Sequence, residues 1–552
     1  MKRKFLSLCG AVLILCLLIG TSQLGGTVAT LESGRGSPMP IGQPEPRSGR
    51  ALDLLTLIDN DYQDGVIDKE TAIRYEAYAM FDRAKLDEVK SSNAKLSLNN
   101  ATDERSDPTM ALLEMKRDFY SFSDGVRAEL QSYGIQPIGE LPPADAAADY
   151  GATSSNCEGF LSTGSGAVSF PSSIVKTNFI VHYTTSGTHA ATSSYATWIA
   201  NNLEEGWSRN RQLKWKNPSA DGWLGGSTDK IDFYIADLTG VWGVAIPMYW
   251  DTSTGNPNDA MGYACVENSL PTTPYNLQQT TPVHEFHHLV QFAHNIFGSG
   301  WYFESFSVWF EEKVFPANNH WVSRAQTFLW WPELMLTSTY DVREYGAAIW
   351  WLYVDDMLSE DVTRRVYARR ALDPFGVEHG WADVKDALSE YSALGGWPTS
   401  RVMYYDFSIA NWFTGYWGQD AFPRGLSYVQ HDANLLGETY VTAGCYSGSV
   451  SGVASTDGYL EGYGAEYVCF TAVTNPSLTF AFDGENGATM MLTTVAMVGD
   501  KDAVVYTYAL DANNDRTFNF NGPSTYTNII VIIRNMSSPE SGTEIGWTLS
   551  WA

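Results

Sequence analysis

Basic side chains are scarce in this sequence. Its 552 residues carry 35 Lys plus Arg against 63 Asp plus Glu, a formal charge of −28. A surface of that sign repels phosphate backbones and anionic lipid, so nucleic acid is excluded as a partner. Charged residues of both signs reach only 18%, so the acidity reflects missing lysine and arginine rather than acidic tracts. Long apolar runs are scarce too. The run from Phe5 to Ile19 follows Lys2, Arg3 and Lys4 and precedes small residues ending in Thr27-Val28-Ala29. It is short for a stable span, and its flanks are those of a secretory signal. Residues 1–29 are therefore read as a signal peptide, with no membrane span after its cleavage. The mature chain is expected to be secreted, either free or associated with the cell surface.

Cysteine is the next scarcity. Six shrink to four once Cys9 and Cys16 leave with the signal: Cys157, Cys265, Cys445 and Cys469. None sits in a CxxC or CxxH spacing, so a cysteine zinc site is not indicated. In an oxidising compartment three pairings are open; Cys445–Cys469 is the most local, and Cys157–Cys265 would accompany it. Tryptophan is absent before Trp198, whereas 17 of the 19 lie between Trp198 and Trp417. With 44% hydrophobic and 13% aromatic residues, wholesale disorder is excluded and several cores are expected.

That tryptophan boundary organises the chain. Residues 30–150 are charged, with helical patterning over 71–89 and 110–131 and a spacer, LPPADAAADYGATSSN, from 141. The layout reads as a helical prosegment on a cleavable linker, the alternative being a constitutive helical domain. DNDYQDGVID (59–68) fails as a calcium loop, because Tyr62 and Thr71 would fall on ligand positions. A turn through Gly65 with Asp68 capping the next helix fits better. Over 151–440 the pattern is mixed: strands at 177–185, 229–238 and 260–268, and helices at 195–211, 282–297, 301–314, 343–357 and 360–371. From 441 to 552 the period is two, in seven or eight short strands that suggest a β-sandwich. Trp547 and Trp551 are expected in its core.

Four of nine histidines fall within TTPVHEFHHLVQFAHN (280–295). Thr281 as cap and Pro282 in the first turn predict a helix from there to Gly298. His284 and His288 are then four residues apart on one face and both reach one metal, while Glu285 is turned aside, placed to hold water. A catalytic zinc needs a third protein ligand. His294 competes, but on an unbroken helix it points away. Glu304, in WYFESFSVWFEEKVF (301–315), follows a Gly-Ser-Gly loop and can face back from an antiparallel helix. Glu311 lies on the same stripe, suited to hold a ligand histidine.

HExxH followed by W-x-x-E-x-x-S-x-W-x-E resembles the gluzincin zinc peptidases, which include thermolysin and the zinc aminopeptidases. The layout as a whole is most similar to a family of secreted metalloproteases first noted in myxobacteria. The resemblance implies an α+β zincin-like catalytic domain over 151–440, a helical N-terminal prosegment and a C-terminal all-β sandwich. It implies Zn2+ on His284, His288 and Glu304, with Glu285 as general base toward a metal-activated water. It also points to Tyr345, in REYGAAIWWLY, as a further catalytic donor. ACVEN (264–268) only faintly matches the G-x-M-E-N strand of the aminopeptidases. The expected function is therefore that of a secreted zinc endopeptidase, a monomer acting on a peptide or protein substrate. The alternatives are a zinc aminopeptidase, or a non-catalytic cell-surface binding protein on a zincin-like scaffold.

Overall fold

A computed structural model describes residues 54–63, 65–92, 108–140, 153–154, 157, 168–220, 229–238, 241–370, 381–393, 400–414, 444–448, 454–498, 502–538 and 544–552. The signal peptide and the boundaries at 29, 150 and 440 lie outside them. The protein is α+β, with β-sheets in its C-terminal region. No helix among the described residues is long and apolar enough to cross a membrane.

The first strands in chain order are β1 (Gly139–Glu140), β2 (Thr153–Ser154), β3 (Val168–Ser169), β4 (Ser172–Val175), β5 (Phe179–Tyr183), β6 (Ile231–Ala236), β7 (Gly243–Trp250) and β8 (Ala260–Glu267). β2 and β3 form a small ribbon, and the other six make one sheet in the order β1-β7-β8-β6-β5-β4. β5, β6 and β8 run parallel, whereas β7 is antiparallel to β8. Strands β5, β6 and β8 are buried at every residue, as a sheet covered on both faces requires.

Five N-terminal helices, α1 (Leu54–Gln63), α2 (Lys69–Phe81), α3 (Arg83–Ser92), α4 (Thr109–Arg117) and α5 (Asp124–Ser132), precede that sheet. The helix expected over 71–89 is broken at Asp82 (φ −147°), whose carboxylate accepts the Lys85 N–H and starts α3. The expected 110–131 helix breaks likewise between Asp118 and Ser123. Asp68 caps α2, accepting the Thr71 N–H at 2.8 Å. Ile73, Met80, Leu112, Met115, Val126 and Leu130 share a core with Tyr234, Val244, Ile246 and Tyr263 of the sheet. The N-terminal helices therefore cover one face of it.

The other face takes α6 (Ser193–Gln212), which crosses from β5 to β6, and α7 (Leu277–Phe292), followed by α8 (Gly300–Val314) and α9 (His320–Trp330). Four more helices follow α10 (Arg343–Gly346): α11 (Ala348–Met357), α12 (Glu360–Arg370), α13 (Trp381–Ala393) and α14 (Ser400–Trp412).

The C-terminal strands are β9 (Cys445–Ser447), β10 (Ala454–Leu460), β11 (Ala465–Thr471), β12 (Ser477–Gly484), β13 (Met490–Val498), β14 (Asp502–Tyr508), β15 (Arg516–Asn521), β16 (Asn528–Asn535) and β17 (Ile545–Trp551). They form a four-stranded sheet, β10-β17-β12-β15, and a five-stranded sheet, β14-β13-β16-β11-β9. Both sheets contribute to one core, which includes Trp547 and Trp551. β9 and β10 exceed the expected strands. The sequence of β10, ASTDGYL, has little strand propensity of its own and is held by seven paired residues along β17. The back of the larger sheet packs on Ile409, Trp412 and Phe413 at the end of α14. Cysteine pairing is Cys157–Cys265 and Cys445–Cys469.

Candidate metal centre

α7 carries the histidines, but it does not begin where the sequence suggested. It starts at Leu277, so Thr281 and Pro282 lie inside it. A proline there leaves the carbonyl four residues earlier without its helical partner. Asn202 of α6 fills that role, donating its amide N–H to the Gln278 carbonyl at 2.8 Å. The far end is corrected as well: α7 stops at Phe292, before Gly298. From Thr280 to Phe292 every residue is buried, because the sheet, α6 and α8 enclose the helix.

His284, His288 and Glu304 form a buried group whose ligand atoms all lie within 4.8 Å of one another. Glu304 Oε2 is 3.1 Å from His284 Nε2 and 3.5 Å from His288 Nε2. A tetrahedral zinc with bonds of about 2.0–2.1 Å sets its ligand atoms roughly 3.3 Å apart, so these separations fit. The partners of the Nδ1 atoms point the same way. His284 Nδ1 donates to Glu311 Oε1 at 2.7 Å. His288 Nδ1 donates to Gln291 Oε1 at 2.7 Å, and the Gln291 amide is oriented by donating to the Phe303 carbonyl. A neutral imidazole has one N–H, and in the tautomer that serves these acceptors it lies away from Glu304. In these tautomers each Nε2 turns a lone pair toward Glu304 Oε2, which lies within hydrogen-bonding distance of His284 Nε2, and Glu304 Oε1 is buried without a hydrogen-bond partner. Such a cluster of acceptors is stable around a cation. The group could hold a metal ion.

Glu311 also accepts from His320 Nδ1 at 2.7 Å. Burial alone would raise its pKa, but the charge of His320 and the hydrogen bonds from His284 and His320 hold it down at about 2. It therefore stays ionised and fixes His284 in the ligand tautomer.

Glu285 and Tyr345 line one pocket with His284, Glu311, His320 and Arg324. The Tyr345 ring lies 6.2 Å from that of His284. β7, beside this pocket, escaped the sequence reading because Pro247 interrupts its β-branched and aromatic run; the strand absorbs the proline at a register shift. Its first residue, Gly243, touches the Glu285 side chain, and an added Cβ would stand 2.5 Å from Glu285 Oε1. Gly243→Ala is expected to push that carboxylate aside and leave His284, His288 and Glu304 in place. Any hydrolytic rate should fall at least tenfold with metal content unchanged, which kinetics and metal analysis of one preparation would check.

His294 is not brought to the group. Its Nε2 accepts the Lys216 N–H at 3.3 Å, and its ring lies against Trp215 and Tyr367. Burial, with Lys216 and Arg364 nearby, lowers its pKa to about 3. Unfolded histidine binds a proton below about 6.5; folded His294 refuses it down to about 3. Stability should therefore fall as pH drops through that window, by about 5 kcal/mol at most. His294→Gln keeps an acceptor for Lys216 and should flatten the slope in urea melts between pH 6.5 and 4.

His287 is fully buried, stacked on Phe310 at 4.6 Å and 3.3 Å from Ser307 Oγ through Nδ1. It belongs to the core rather than to the helix surface or the site. Glu267, at the end of β8, accepts the Leu238 N–H and the Ser269 hydroxyl, both at 2.7 Å. Sequence reasoning also passed over His320 and Arg324, since neither sits in a motif.

No protein-family model matches the chain, and no curated protein matches it. Among solved structures, a pre-peptidase C-terminal domain of a collagenase from Bacillus anthracis is 12% identical with a TM-score of 0.15, covering 20% of this chain and 96% of that one. The aminopeptidase A of Legionella pneumophila is 11% identical with a TM-score of 0.30. That match covers 63% of this chain, which spans about a third (34%) of the aminopeptidase.

Proposed function

We propose that the protein is a secreted zinc endopeptidase of the gluzincin kind, with a zincin-like catalytic domain and a helical prosegment. The observation that carries this reading is the convergence of His284 Nε2, His288 Nε2 and Glu304 Oε2, with each imidazole Nδ1 engaged by a separate acceptor. A zinc ion, when bound, supplies Lewis acidity to a carbonyl oxygen and acidifies water. The chain supplies the rest. Glu285, in the same pocket but outside the ligand set, takes a proton from water and delivers it to the leaving amine. Tyr345, whose ring lies beside that of His284 in the same pocket, donates a hydrogen bond to the developing oxyanion. Glu311 and Gln291 keep the two imidazoles in register. An endopeptidase is favoured over an aminopeptidase because Glu267, which stands where the aminopeptidase G-x-M-E-N strand has its Glu, is already engaged by Leu238 and Ser269.

Residues 30–150 serve as the restraint. Thr109, at the start of α4, accepts the Ala245 N–H of β7 at 3.0 Å and turns its hydroxyl toward Glu285 Oε2 at 3.5 Å. β1 pairs with the far end of the same strand. Substrate backbone that needs the β7 edge meets the N-terminal segment there first.

The test uses a full chain with a protease site placed in 141–150 and cut after folding. Caseinolysis should rise on cutting, vanish on chelation and return with zinc. Equal activity before and after cutting would dismiss the restraint, and no zinc-dependent cleavage in either form would dismiss the peptidase.

A further inference from the structure

Beside the candidate metal centre stands a cation that the fold leaves unmatched. Arg324 of α9 is half-buried and lines the same pocket as His284, Glu285 and Tyr345. Its guanidinium lies 4.9 Å from the Tyr345 ring centroid. Its Nε is buried without a hydrogen-bond partner, and among the described residues the side chain makes no ion pair.

The contrast with its neighbour is informative. Arg343 is wholly buried but donates to the carbonyls of Phe328, Leu334 and Met335, so it ties the chain together. Arg324 ties nothing. The carboxylate of Glu311, in the same pocket, is occupied by His284 and His320. The position of Arg324 is nevertheless fixed. α10 packs on α9 through Gly346, where an added Cβ would stand 2.6 Å from the Arg324 carbonyl oxygen. That contact sets Tyr345 beneath the guanidinium. A guanidinium whose buried Nε–H has no acceptor carries an uncompensated desolvation cost until an acceptor joins it.

We infer that Arg324 determines specificity by receiving a carboxylate of the substrate. It rests on the peptidase reading above and adds its substrate class: peptides carrying an acidic side chain, or a free C-terminus, next to the cleaved bond. The planar guanidinium fork matches a carboxylate with two parallel N–H···O bonds, and the Tyr345 ring lies against the guanidinium at 4.9 Å.

The experiment uses the full chain cut in its linker after folding, with four matched peptides: neutral and amidated, the same with an internal Glu, the same with an internal Lys, and the neutral one with a free C-terminus. One of the carboxylate peptides should exceed the neutral one in kcat/KM roughly ten- to hundredfold, and which one it is identifies the source. Arg324→Gln should bring that ratio to about one, Arg324→Lys should keep part of it, and Arg324→Glu should invert it toward a Lys-bearing peptide. Calorimetric titration of the same peptides into the zinc-free protein should show the same ranking without any turnover. Cleavage with no carboxylate preference, or a preference that survives Arg324→Gln, would overturn the assignment and leave the peptidase intact. Carboxylate binding lost in Arg324→Gln, with no cleavage of any peptide, would uphold the anion site and sink the peptidase. Neither binding nor cleavage would overturn both.

Discussion

Glu285→Gln is expected to leave the metal bound and lower peptide hydrolysis by roughly a hundred- to ten-thousandfold. The substitution is nearly isosteric, so the close contact with Gly243 stays possible and the pocket keeps its shape. The converging ligand atoms belong to His284, His288 and Glu304, so metal stoichiometry should match the unaltered protein. What disappears is a group able to accept a proton at neutral pH, since an amide has no such basicity. This variant separates the enzyme from a binding protein on the same scaffold. A zinc-loaded Glu285→Gln protein with undiminished peptidase activity would mean that another residue is the base. Equal and negligible activity in both proteins, with zinc bound, would favour the binding reading.

The site was legible in the sequence to the extent that its geometry is local. His284 and His288 on one helix face follow from a spacing of four residues, and Glu304 from an expected helical hairpin, although its connection runs over 293–299 rather than the Gly-Ser-Gly loop alone. The ends of α7 were misread for a physical reason. Pro282 normally marks a first turn, but Asn202, eighty residues earlier, satisfies the carbonyl that the proline orphans. No local pattern carries that information. β7 was missed because a proline demotes a strand reading, although its backbone reaches the Glu285 carboxylate. Asp82 and Asp118 broke two expected helices because an aspartate beside a charged face can end a helix as easily as decorate it. Arg324 was illegible for another reason. Its interest lies in the partner it lacks, and only three dimensions show that. The same holds for the N-terminal helices, whose periodicity gave their existence but not the sheet face they cover.

Glu304→Gln and Glu311→Gln remove one carboxylate charge each, only a few ångströms apart, yet opposite effects are expected on the metal-free protein. Glu304→Gln takes a charged ligand from the three, so zinc affinity should fall on the order of a thousandfold. In the metal-free state, however, the buried Glu304 carboxyl group faces both imidazole Nε2 atoms, with Oε1 unpartnered. A neutral amide donates an N–H into that cluster, so the zinc-free melting temperature should rise. Glu311→Gln affects zinc only through His284. Affinity should fall about ten- to hundredfold, the usual loss for a partner that orients a ligand. Its metal-free protein should lose stability, by about 1–3 kcal/mol, because His284 and His320 both donate to that carboxylate and an amide offers them one acceptor oxygen. Chelator competition gives the two affinities, and melting of the stripped proteins gives the two signs. A Glu304→Gln protein that binds zinc as tightly as the unaltered chain would remove Glu304 from the ligand set, and with it the convergence on which the peptidase assignment depends.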